Sequence, residues 1–149
     1  TMKNTGDEPL TMYLVAEPTP EGFRPNDYIY VNSETETQTF ISNSHWINVW
    51  EHLIKPEDGL AQLQLVLSVW LYPNTFAQPH SHNETTEEVW CTLEGDVKFL
   101  LGKQIRDLPF GMAHMIPPDN KTPHANFNIT DKPIKFFYFA RFSDQEPRK

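Results

Sequence analysis

The chain is predicted to be all-β, a sandwich or closed barrel, on three observations. Residues 61–72 alternate: Leu63, Leu65, Leu67, Val69 and Leu71 share one parity, and Gln62, Gln64, Ser68, Trp70 and Tyr72 take the other, the period of a strand with one face in a core. Short extended runs recur along the chain, separated by clusters of Gly, Pro, Asn and Asp that turn the backbone. No segment sustains an apolar period of 3.6 residues, and Pro56-Glu57-Asp58-Gly59 interrupts the one candidate.

Taken in order, residues 1–27 are polar and punctuated by Pro9, Pro18, Pro20 and Pro25, which predicts an N-terminal arm ahead of a single barrel domain at 28–149. Strands are expected at 28–31, 37–41, 45–54, 61–72, 88–93, 96–101, 112–116, 125–129 and 134–142. Turns are expected at Gly95, Gly102, Pro109-Phe110-Gly111, Pro117-Pro118-Asp119-Asn120 and Thr130-Asp131-Lys132-Pro133. No internal repeat is present, so one barrel per chain is expected.

The 149 residues suit one domain with its own core. Ten Phe and four Trp argue against disorder despite thirteen Pro. A net charge of -8 leaves no basic stripe, so neither nucleic acid nor an anionic membrane is an expected partner. No apolar run reaches the roughly eighteen residues a membrane helix needs. Cys91 is the one cysteine, which excludes an internal disulfide and reads as a structural thiol. Asn-x-Ser/Thr triplets at Asn83, Asn120 and Asn128 fall where a glycan would not fit. Compartment stays open: a leader removed before Thr1 is compatible with the sequence, and the cytoplasm is slightly favoured.

The chemistry-bearing residues are His80 and His82, then Glu87-Glu88, then His124. Residues i and i+2 of a strand point to one face, so the first two imidazoles can reach one ion. Imidazole with carboxylate suits a first-row transition metal better than calcium or magnesium. His45 and His52, beside Trp46 and Trp50, read as packing or surface residues. Arg106 and Arg141 read as solvated rim charges.

Residues 74–95 and 111–128 resemble the two motifs of the cupin superfamily. His80-Ser81-His82, then Glu88, six residues and Gly95 reproduce the first motif, with a longer gap than usual before the carboxylate. Gly111, five residues and Pro117, then His124 and Asn128, reproduce the second, with Asp119-Asn120 in place of its turn glycine and a two-residue insertion. Asn and Asp tolerate the positive φ such a turn needs. The alternation after Glu88 and the turn at Gly95 favour Glu88 over Glu87 as the carboxylate ligand; Glu87 stays open as the alternative.

The resemblance implies a double-stranded β-helix, or jelly roll, and one divalent ion (Fe, Mn, Ni, Zn or Co) held by His80, His82, Glu88 and His124. Asn128 would buttress the site. Inside such a barrel, Trp70, Tyr72, Trp90, Thr92, His114 and Asn126 are the expected pocket lining, and Glu87 the candidate general acid or base if Glu88 ligates. The function this implies is a metal-dependent enzyme of oxygenase, isomerase, lyase or hydrolase type acting on a small organic molecule. The alternative is a non-catalytic cupin that binds a small molecule or sugar. A homodimer is expected.

Overall fold

A computed structural model describes residues 3–41 and 48–144. The first part of the strand expected at 45–54, with His45 and Trp46, lies outside the described residues. Among the described residues ten strands are present: β1 Thr39–Ile41, β2 Asn48–Ile54, β3 Leu63–Leu71, β4 Thr75–Phe76, β5 Thr86–Glu94, β6 Val97–Leu101, β7 Gln104–Leu108, β8 Ala113–Ile116, β9 His124–Asn128 and β10 Ile134–Phe142. They form a six-stranded sheet in the order β1-β2-β3-β10-β5-β8 and a four-stranded sheet in the order β4-β9-β6-β7. Every ladder is antiparallel. This is the jelly roll that the motifs implied.

Pleat parity builds the interior. Leu67, Val69 and Leu71 of β3 meet Trp90 of β5, Phe136 and Tyr138 of β10 and Ile116 of β8, all buried, and Val97, Phe99 and Leu108 close the core from the other sheet. The outer face is dressed by the chain's own residues 13–34. Glu17 accepts backbone hydrogen bonds from Ala61, Gln62 and Leu63 at 2.5–2.7 Å, and Tyr13 lies 6.4 Å from the Phe137 ring. Glu34 accepts from Ser68 Oγ and pairs with Lys135.

Three expectations differ from the structure. Residues 28–31 form no strand, and Ile29 and Val31 are 90% and 84% exposed; β propensity does not suffice without a pairing partner. The polar run Gln104–Leu108 forms β7, because its hairpin with β6 at the sheet edge supplies the ladder without apolar alternation. Trp70 and Tyr72 point out of the barrel: Trp70 shares parity with Ser68, under the Lys135 ammonium 4.9 Å from its ring, and Tyr72 is exposed.

Gly95 closes the β5–β6 turn at φ 79, and a Cβ there would sit 3.0 Å from Ile134 Cγ1. That position admits glycine for two reasons at once.

Candidate metal centre

His80 is drawn to β9 by a two-way backbone bridge. His124 N–H donates to the His80 carbonyl at 2.8 Å and His80 N–H to that of His124 at 3.2 Å. The preceding strand, β4, pairs with the far end of β9. His80 Nδ1 lies 2.8 Å from the Gln78 carbonyl. A carbonyl only accepts, so Nδ1 carries the proton and Nε2 keeps its lone pair for an ion.

The five-residue gap between His82 and Glu88 is taken up by a turn around Asn83. Its Oδ1 accepts from Thr85 N–H and from the hydroxyls of Thr85 and Thr86. β5 then starts with Glu88, Trp90 and Thr92 inward, all buried. In the second motif, Asn120 takes φ 54 as the missing glycine would. Asp119 caps the extra residues, its carboxylate accepting from Lys121 N–H, Thr122 N–H and Thr122 Oγ.

The imidazoles of His80, His82 and His124 converge, with their ligand atoms within 4.8 Å of one another. The Glu88 carboxylate stands against two of them: His82 Nε2 is 3.0 Å from Oε1 and His124 Nε2 3.4 Å from Oε2. Cis ligands on an ion with bonds of about 2.1 Å stand about 3.0 Å apart, so these contacts have the spacing of neighbouring ligands. Tyr138 Oη donates to Glu88 Oε1 at 2.6 Å and Trp90 Nε1 to Oε2 at 3.1 Å. Three histidines therefore lie close enough to hold a metal, in a wall of aromatic rings.

Burial pushes the Glu88 carboxyl up. Its contacts with His124 and His82, the charge of His82 and the Tyr138 hydroxyl outweigh that and hold it well below the carboxylate range. It is an ion at neutral pH, as a ligand must be. Burial also lowers His80 against the opposing pull of the Gln78 carbonyl, and its histidine neighbours lower it further. Tyr138 is pushed well up by burial and by Glu88, so it stays a donor. His124 Nε2, beside Glu88, is buried and makes no hydrogen bond, and a divalent ion would satisfy it and the ionised carboxylate together.

The other site residues expected from the sequence divide by face. Trp90, Thr92 and Asn126 lie inward and are buried, and His114 faces inward against the Phe99 ring. Asn128 ties the end of β9 to its surroundings, donating to the Leu71 and Lys132 carbonyls and accepting from Thr130. Trp70, Tyr72 and Glu87 do not join them. Glu87 lies on the opposite face of β5 in a groove with Glu17, Val89 and Arg141, so it is not placed to exchange protons in the barrel. Tyr138 is the residue sequence reasoning missed, since the expected strand at 134–142 carried no site residue. The available signal was that a tyrosine on an inward parity must find a partner for its hydroxyl.

No protein-family model matches the sequence, and no curated protein is detectably similar to it. Solved structures match its fold. The polyketide cyclase RemF from Streptomyces resistomycificus superposes with a TM-score of 0.66 at 19% identity, covering 82% of this chain and 85% of that one. A predicted oxalate decarboxylase from Thermotoga maritima gives 0.65 at 16%, covering 76% and 99%. A sugar phosphate isomerase of the cupin superfamily from Silicibacter pomeroyi gives 0.62 at 17%, covering 74% and 80%. Among the described residues no helix is long and apolar enough to cross a membrane.

Proposed function

The chain has the cupin fold, and from that premise we propose that it is a metal-dependent enzyme acting on a small organic molecule, its ion held by His80, His82, Glu88 and His124. The observation that carries this reading is the convergence of three imidazoles, two of them against one buried, ionised carboxylate, at the edge of an apolar interior. Four such ligands leave two positions open on a six-coordinate ion, where a bound metal supplies Lewis acidity or, for a redox-active ion, oxygen chemistry.

The chain's own residues have separable tasks in this proposal. Gln78 fixes the tautomer of His80. Tyr138 and Trp90 hold the Glu88 carboxylate in one orientation, the kind of support that tunes a ligand. The rings of Trp90, Phe136 and Tyr138, packed 4.6–5.3 Å apart, exclude water from one side. Fold likeness to a cyclase, a decarboxylase and an isomerase supports small-molecule chemistry and leaves the reaction class to be assayed.

Metal analysis of the purified protein, followed by metal exchange and oxygen-uptake assays, tests the reading. One tightly held ion per chain and turnover that depends on it are expected. A pocket that binds small molecules equally well without metal would make this a binding protein instead. The exposed apolar run at 28–31 supports pairing with a second copy; a 17 kDa particle in sedimentation would refute that part.

A further inference from the structure

The interior beside the three histidines holds buried polar atoms without a hydrogen-bond partner. Asn126 is 2% exposed, yet its Oδ1 has no partner, and both ring nitrogens of His114 are buried without one. Strand geometry puts the two side chains in the same space. Asn126 follows His124 by two residues on β9 and so shares its face. His114 stands opposite Trp90, whose Nε1 holds Glu88. Phe99, opposite Asn126 on β6, lays its ring against His114 with centroids 3.4 Å apart, joining the two sheets at this point.

Native proteins leave few buried polar atoms unmatched, because each unmade hydrogen bond is destabilising. Sites that read a substrate's hydrogen-bonding group keep such atoms and reject analogues that leave them unpaired. The cations of the neighbouring strands β6, β7 and β10 turn away from this interior. Lys98 pairs with Asp107 and Lys135 with Glu34, both on the outside. Arg106, in register with Phe99, is exposed on the edge strand and bonded to Gln104.

Resting on the metal-centre reading above, we infer that the substrate presents an uncharged hydroxyl on an otherwise apolar skeleton, and that this hydroxyl donates to Asn126 Oδ1 and accepts from a His114 ring N–H beside the ion. A phosphate ester or polyanion would find no counter-charge here besides the metal.

Calorimetric titration of zinc-loaded and metal-free protein with 2-hydroxyacetophenone and with phenyl phosphate tests this. The hydroxyketone is expected to bind more tightly than the phosphate ester to both forms. His114→Phe and Asn126→Leu should each weaken it about tenfold while zinc uptake is unchanged. Both should leave the melting temperature equal or higher, because an unmatched polar group has been replaced by an apolar one. His114→Gln, which keeps a donor and an acceptor, should bind within a few-fold of wild type. Equal or tighter binding of phenyl phosphate overturns the inference, as do variants that bind the ketone unchanged or that lose stability instead of affinity. Failure of the wild-type protein to take up zinc would sink the metal-centre reading alone; preference for the ketone by the metal-free protein would still support this one, and its absence would overturn it.

Discussion

Glu87 and Glu88 are the same residue type at adjacent positions of one strand, and they stand in different surroundings. Glu88 is 2% exposed and touches His82, His124, Trp90 and Tyr138. Glu87 lies on the reverse face, opposite Arg141 in the ladder and beside the N-terminal arm. Nothing in their local chemistry separates them; the pleat does. Parity assigns one to a dry interior, where a charge must be matched, and the other to a half-buried outer groove. The comparison extends along the strand: Trp90 and Thr92 share the inner environment, Val89 and Cys91 the outer one.

The comparison breaks hardest if the inner face is emptied of ligands. Replacing His80 and His82 together by Ala should abolish stoichiometric metal by elemental analysis and leave β-type circular dichroism, since the Leu67–Leu71 core makes no use of them. Loss of the β signal would mean that the ion holds the fold together. Glu88→Gln should weaken metal affinity by more than the roughly 10–100-fold typical of losing a supporting partner, measured by competition with a chelator. Glu87→Gln should do neither, changing stability by no more than about 0.5 kcal/mol and metal affinity not at all. An equal loss from both would refute the division of the faces.

Acid sharpens the contrast. Burial lowers His114 to about 3, with the neighbouring His124 adding to the effect and Glu88 opposing it. The unfolded chain therefore takes up a proton near pH 6.5 that the folded one refuses. Stability from this group is complete above about 6.5 and falls as pH drops toward about 3, by roughly 1.4 kcal/mol per unit. Urea titrations of metal-free protein at pH 7 and 5.5 should show that loss, and His114→Phe should remove this share. A wild-type midpoint unchanged between the two pH values would contradict it. Among the inward-facing residues the smallest expected effect is that of Tyr138→Phe, about tenfold in metal affinity, because it removes one bond to Glu88 and leaves the ligands in place.

How much of this was legible in the sequence depended on whether the signal was local. The alternation of 61–72 announces β3, and Glu88 through Gly95 sets its own register, because a strand ending in a positive-φ glycine cannot slide. The His-x-His pair and His124 are visible as residue types. Trp70 and Tyr72 follow the outward parity of Ser68 and not the lining that the resemblance implied, and β7 carries no apolar signal because an edge strand needs a partner and no apolar pattern. The bond from Tyr138 to Glu88 joins residues fifty apart and has no local trace.

By itself the sequence determined the β period, the turns that only Gly, Asn or Asp can make, and the supply of imidazoles and carboxylates from which a site could be built. Those are properties of a residue and its near neighbours, carried by backbone sterics and side-chain chemistry. Only the tertiary structure decided which carboxylate faces inward, which tyrosine holds it and which polar atoms are left unmatched, because burial and partnership arise when distant strands pair and shut out water.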